Sequence, residues 1–290
     1  MIRMDRLGAA AAAALLAACS AASEDAGDAP VYDAVVPEIT EHMAQPAVLI
    51  FSKTRSWRHD EGISAADLFF VRHARDQGWG FYTTENGAAF TPEILDRFDV
   101  VVFNSVTGDV LSPDQRAAFE AWVLGGGGFI GLHGSGDASS QGWSWYRENL
   151  IGPDYMNHPY DPQFQDARVE VLDAGHPVAS GLPSEWVQSE EWYSFYSSAT
   201  EEGFAPILGL DEATYAARNE HWEPGPDLSM GEGPENHPVA WANCPGEGRS
   251  VYSALGHRDT AYEVAPYAAL LRNAFAWVAK ETDPAGSGCP

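Results

Sequence analysis

Between residues 47 and 132 the chain repeatedly alternates a short apolar run with a capped, helical stretch, and this restricts the fold more than any other feature. Ala47–Phe51, Trp79–Thr83, Val100–Phe103 and Phe129–Leu132 have the length and near-continuous apolarity of strands buried on both faces. Between them, Ile63 to about Gln77 reads as a helix closed by Gly78. Thr91-Pro92 supplies an N-cap and a first-turn proline ahead of Ile94–Phe98. Ser112-Pro-Asp-Gln115 has the capping-box spacing and opens a helix to Leu124, ended by Gly125–Gly128. Strands separated by helices are joined by crossovers, so the expected class is α/β with a doubly wound parallel sheet.

Beyond Leu132 the pattern loosens. Trp143–Leu150 reads as a helix, and Ala167–Leu172, Trp192–Tyr196 and Val239–Trp241 as short β-like runs among many Pro, Gly and His. Arg249–Leu255 is a late strand and Pro266–Ala279 a closing amphipathic helix. No internal repeat is present. The expected organisation is one domain over residues 47–280 carrying a β-rich, loop-rich insertion, with a flexible tail at 281–290.

The N-terminus reads as an address. Arg3 and Arg6 precede an unbroken apolar run, Leu7–Ala18, too short to cross a bilayer of about 30 Å as a helix. It ends Leu16-Ala-Ala-Cys19, which resembles the lipobox of bacterial lipoproteins. That likeness implies removal of residues 1–18, lipidation of Cys19 and anchoring in the bacterial cell envelope. Ser20 points to the outer membrane, periplasmic face. An ordinary signal cleaved near Ala22 is the alternative. Residues 19–46, rich in Ala, Asp, Glu and Pro, are expected to be a disordered tether. Cys244 and Cys289 are then the remaining thiols of an oxidising compartment, either paired with each other or each unpaired. With no C-x-x-C, a thiolate metal site is not indicated.

Lys+Arg number 16 against 42 Asp+Glu, a formal net charge of −26. A nucleic-acid partner is excluded, because phosphate binding needs clustered cations, and so is a polybasic grip on anionic lipid. The acidity reads as solubility.

In open α/β sheets ligands bind outside the carboxyl ends of the strands. That rule selects His59, after the first strand, His133, directly after the fourth, and His257, after the late strand. His73 falls inside the first helix and His42 in the tether; both read as structural. His158, His176 and His237 each precede proline and read as loop-shaping residues. Glu190 and Glu191 are adjacent in a β-like run, so only one can readily enter the pocket.

Arg58-His-Asp60, Gly126-Gly-Gly-Phe-Ile-Gly-Leu-His133, Glu190-Glu-Trp-Tyr193, His237-Pro-Val-Ala-Trp241 and Tyr252-Ser-Ala-Leu-Gly-His257 together resemble the ThuA family, named for trehalose utilisation. The resemblance runs in order over about residues 47–279. It implies a flavodoxin-like, class I glutamine amidotransferase-like fold and a role in carbohydrate metabolism. It further implies His133, Glu191 and Glu190 as catalytic residues. Arg58, Asp60, Asp137, Trp192, Trp222 and His237 would bind a small carbohydrate, and His59, His133 and His257 a divalent metal, zinc above others. No nucleotide cofactor is indicated. Trp57, Trp143, Trp145, Trp192 and Trp222 are candidates to stack on sugar faces, with core packing as the competing role.

Amidotransferases place a nucleophilic Cys where this chain has His133, and imidazole cannot readily replace a thiolate in forming a thioester, so glutamine hydrolysis is not expected. Ser135 does not complete G-x-S-x-G, since His133 and Asp137 stand where glycines would be required. Two readings stay open: an enzyme of sugars or keto-sugars (hydrolase, lyase or isomerase), and a non-catalytic carbohydrate-binding lipoprotein.

Overall fold

A run buried on both faces needs neighbours on both sides, and the sheet supplies them. In the computed structural model, which describes residues 31–40, 42–137, 142–218, 227–282 and 288–290, β1 (Ala47–Phe51), β3 (Val100–Asn104), β4 (Gly128–Leu132) and β11 (Arg249–Ser253) are buried at every position. With the outer strand β2 (Gly80–Thr84) they form a parallel sheet in the order β2-β1-β3-β4-β11.

Helix boundaries follow the local signals. α1 (Asp60–Gln77) ends at Gly78 in the left-handed conformation. α2 (Pro92–Leu95) is capped by the Thr91 hydroxyl, and α3 (Pro113–Leu124) carries both hydrogen bonds of the Ser112/Gln115 capping box. The helix expected over Trp143–Leu150 is a single turn, α4 (Ser144–Tyr146), passing into a π-helical turn at Arg147–Ile151. The closing helix α5 (Ala265–Val278) packs Tyr267, Leu270, Leu271, Phe275 and Trp277 into the core.

The insertion extends the same sheet. β5 (Tyr155–Asn157) and β8 (Ser194–Phe195) pair in a small separate ribbon. β6 (Gln165–Val171), β7 (Glu185–Glu190), β9 (Ala205–Asp211) and β10 (Pro238–Asn243) add to β11 in the order β10-β9-β6-β7, all antiparallel. The nine-stranded sheet thus joins the expected parallel sheet, β2-β1-β3-β4-β11, to antiparallel strands supplied by the β-rich insertion. Among the described residues only short 3-10 turns, and no α-helix, lie between β6 and β7 and between β9 and β10, and these strands return antiparallel within the same sheet.

Two further expectations are corrected. The segment read as a disordered tether packs from Tyr32 onward, where the main compact unit, Tyr32–Pro290, begins. Ile39 joins the core, Asp33 pairs with Lys53 and accepts the Gly87 N–H, and Arg97 donates to the Ile39 and Thr40 carbonyls. The segment lacks periodicity because it is held largely through backbone carbonyls and single side chains. The tail, read as flexible, has its end tied down. Cys289 is disulfide-bonded to Cys244, with Cα atoms 5.5 Å apart, and His176 Nε2 meets the Gly288 carbonyl at 2.8 Å. Cys19 lies outside the described residues.

Candidate functional site

The three histidines named by the carboxyl-edge rule meet at that edge. His59 immediately precedes α1, and its carbonyl accepts the Ile63 N–H; its ring turns inward and is 5% exposed. His133 follows β4 with φ +41°, a left-handed conformation that costs a non-glycine residue about 1–2 kcal/mol. The Tyr252 hydroxyl donates to the His133 carbonyl at 2.8 Å, and a Cβ on Gly136 would lie 2.3 Å from that hydroxyl. The turn is thus packed tightly enough to keep its strain. His257 arrives on the loop after β11. Gly62 lets α1 close on this loop: a Cβ there would stand 2.4 Å from the Gly256 carbonyl oxygen.

Glu191 completes the group. One ligand atom from each of His59, His133, Glu191 and His257 lies within 4.8 Å of all the others. His133 Nε2 is 3.0 Å from His257 Nδ1 and 3.2 Å from Glu191 Oε2, and His257 Nδ1 is 2.9 Å from the same Oε2. The ring centroid of His59 is 4.5 Å from that of His133 and 4.7 Å from that of His257. The other nitrogen of His133, Nδ1, faces the Ala254 carbonyl at 2.7 Å. A carbonyl only accepts, so Nδ1 carries the proton and the neutral ring presents its Nε2 lone pair to the cluster.

Electrostatics follow from this crowding. Burial, reinforced by His133 and His257, drives the His59 pKa down to about 2, so its imidazole is neutral. Burial also opposes charge on His133, but the hydrogen bond and attraction of Glu191 outweigh it and raise its pKa. Burial works against the Glu191 carboxylate too; His133 and His257 overcome it and hold the carboxyl well below its usual range. Glu191 therefore draws positive charge to His133 Nε2, a place that a bound cation would fill instead of a proton.

Adjacent positions in the Glu-Glu-Trp-Tyr run part company as the alternation requires. Glu191 enters the cluster. Glu190, also buried, accepts the backbone N–H groups of Gly256, His257 and Glu191, so it shapes the His257 loop instead of facing the cluster. Trp192 is 1% exposed and donates to the Gln165 carbonyl, a core residue with no face free for a sugar. His237, expected to bind substrate, has both nitrogens engaged at 2.8 Å, one with Glu212 and one with the Tyr193 carbonyl, and is fully buried. Arg58 and Asp60 flank His59 but face solvent, where Arg58 bonds Asp60 and Glu85. Asp137 is half-buried at the end of the His133–Gly136 turn. Trp222 lies outside the described residues.

The other candidates divide similarly. Trp143 is buried and bonds Glu120, and Trp145 packs against the core, whereas Trp57 is 68% exposed two residues before His59. Ser135 is not a free nucleophile: its hydroxyl donates to the Phe103 carbonyl and accepts the Val106 N–H.

Several site residues were not anticipated. His158, read as loop-shaping because Pro159 follows, sets Nδ1 2.9 Å from the Pro159 carbonyl and 3.3 Å from Glu191 Oε1. Burial lowers its pKa despite Glu191. Gln163 donates to Glu191 Oε1 at 2.6 Å, and the Tyr193 hydroxyl lies 3.1 Å from His133 Nε2. A signal for Tyr193 existed: it stands two residues after Glu191 in a stretch that reads as β-like, where alternate residues share a face, although residues 191–193 lie between β7 and β8.

The donor set fits a divalent metal. Ligands about 2.0–2.1 Å from a tetrahedral zinc are separated by about 3.4 Å, close to the three measured edges. His59 Nδ1 is buried with no hydrogen-bond partner among the described residues, and a cation would satisfy it. Three imidazoles and one carboxylate are borderline ligands that suit zinc or a neighbouring transition metal.

Comparison with known proteins agrees with this architecture. A ThuA-like protein from Bacteroides uniformis aligns with TM-score 0.68 and 23% identity over 87% of this chain and 98% of that one. One from Parabacteroides merdae gives TM-score 0.57 and 16% identity over 85% and 95%, and a cytoplasmic protein of Salmonella typhimurium LT2 gives 0.54 and 12% over 80% and 99%. At such identities the likeness establishes the fold. No curated protein matches the sequence. Residues 47–278 match the family described as ThuA, trehalose utilisation, a span that runs from the first residue of β1 to the last of α5 and contains every residue of the cluster. The chain belongs to the ThuA family, with a glutamine amidotransferase-like fold that carries His133 at the turn after β4.

Proposed function

We propose that this protein is a metal-dependent enzyme of carbohydrate metabolism, acting on a sugar, keto-sugar or glycoside. The observation that carries the reading is the convergence of His59, His133, Glu191 and His257, four largely buried ligand donors within 4.8 Å of one another. The family's description, trehalose utilisation, supports a carbohydrate as substrate. A bound divalent cation would polarise a carbonyl or a hydroxyl pair of the sugar. The chain's own groups then have distinct tasks. His133 is held by Ala254 so that Nε2 faces the site, and Glu190 fixes the His257 loop through backbone amides. His158, its Nδ1–H directed at the Pro159 carbonyl, keeps Nε2 as the basic nitrogen able to accept a substrate proton. Exposed Trp57 is a surface on which a sugar ring could stack. As part of the same reading, Cys19 carries lipid and holds the domain at the periplasmic face of the outer membrane.

The test is elemental analysis of the purified chain from Ser20 onward, followed by titration of the chelator-stripped protein with zinc. About one equivalent of metal per chain is expected, lost on His59→Ala or His257→Ala. Protein that purifies without metal and fails to take up zinc, manganese or cobalt would sink the reading. Product formation from a keto-glycoside supports an enzyme, whereas binding without turnover would reduce it to a carbohydrate-binding protein.

A further inference from the structure

The ligand set leaves Tyr193 without a task, yet the fold holds it firmly in place. Its hydroxyl lies 3.1 Å from His133 Nε2. Its ring centroid is 4.4 Å from that of His133 and 4.7 Å from that of Tyr155. Its carbonyl is gripped by His237 Nε2 at 2.8 Å, and His237 is steadied through its other nitrogen by Glu212. With ring and backbone both fixed, the hydroxyl can turn its hydrogen but cannot leave.

His133 Nδ1 is committed to the Ala254 carbonyl, so Nε2 offers one lone pair. A cation held by His133 takes that lone pair. The Tyr193 hydrogen then loses its acceptor there, in a residue only 3% exposed. A buried donor without an acceptor is unfavourable, and a ligand that brings an oxygen atom beside the cation removes the penalty. We propose that Tyr193 is a catalytic residue whose hydroxyl donates a hydrogen bond to the substrate oxygen bound next to the cation at His59, His133, Glu191 and His257. This role rests on the metal-dependent reading above. The O–H bond stays intact throughout; the hydrogen bond strengthens as negative charge builds on the oxygen it meets, as for any preorganised donor in a dry site.

Tyr193→Phe tests this, because phenylalanine keeps the ring that packs on His133 and Tyr155 and removes only the donor. The protein is taken from Ser20 onward, which retains the whole compact unit from Tyr32. Wild type and variant are loaded with cobalt(II), and acetohydroxamate, an oxygen-donor ligand, is titrated while the visible absorption of the cobalt is followed. Cobalt affinities should agree within about 3-fold, and the hydroxamate affinity of the variant should fall about 10-fold, the size of one lost hydrogen bond. Equal hydroxamate affinities would overturn the role of Tyr193 and leave the metal reading standing. Loss of cobalt binding in the variant alone would make Tyr193 a structural support and overturn the proposal. Failure of the wild type to bind cobalt would overturn the metal reading, and this role with it.

Discussion

Reduction of the Cys244–Cys289 bond should lower the stability of the whole domain, and the cost can be worked from the fold. The bond closes a loop of 45 residues that contains β11 and α5, both in the core. In the folded protein these elements hold the two cysteines in place, so the constraint acts mainly on the unfolded chain. For a loop of that size the chain-entropy model gives about 4 kcal/mol at 25 °C. In a domain somewhat over 200 residues long, each kcal/mol moves Tm by about 2–4 °C, so a fall of about 8–16 °C is expected. The measurement is a pair of calorimetric scans, oxidised and reduced, with a thiol titration of the oxidised protein under denaturant. A second signature separates the entropic account from simple loss of a contact. The reduced unfolded chain is more expanded, so the denaturant m-value should rise on reduction. Two titratable thiols in the oxidised protein would show that the bond does not form. A Tm shift below about 3 °C with an unchanged m-value would refute the entropy argument itself.

Three further outcomes are expected. His133→Ala should weaken metal affinity by at least about 10-fold with the fold intact, measured by zinc titration, whereas His73→Ala, packed between Phe69 and Phe275 on α1, should leave it unchanged; equal damage from both would undo the assignment of the carboxyl edge. A chain beginning at Ala47 loses the buried Ile39, worth about 1.5–3 kcal/mol, and the Asp33–Lys53 pair, so it should melt at least about 4 °C below a chain beginning at Ser20; identical melting would show that this packing contributes nothing. Cys19→Ala should abolish lipid labelling in cells, and labelling that persists would rule out lipidation at that position.

What the sequence disclosed and what it withheld divide along the range of the interactions involved. β1, β3, β4, α1 and α3 were legible because their signals are local: continuous apolar runs, the Gly78 stop and the Ser112/Gln115 box. The convergence of His59, His133 and His257 was legible because parallel strands point their carboxyl ends one way. The antiparallel half of the sheet was not, since β6 finds its partners in β7 and β9, a pairing that no local periodicity specifies. The anchoring of residues 32–46 escaped for a related reason. Arg97 grips backbone carbonyls and Asp33 meets one lysine, and neither leaves a pattern. The roles of Glu190, Glu191, Trp192 and Tyr193 were recoverable in principle. Alternation along a β-like run sends Glu191 and Tyr193 one way and Glu190 and Trp192 the other, so naming Glu191 should have selected Tyr193 and excluded Trp192.

The same reasoning accounts for the most costly residue in the site. A histidine at φ +41° persists only if the surroundings over-determine it. Tyr252 holds its carbonyl, Ala254 holds its Nδ1, and the glycines at 134 and 136 leave no room for the turn to relax toward bulkier neighbours. Each constraint also directs Nε2 at Glu191 and His257. At this turn His133 presents a lone pair that cannot readily replace a thiolate in attacking a carbonyl but is the kind of donor that holds a cation, so the strained conformation agrees with the metal-dependent reading proposed above and not with glutamine hydrolysis.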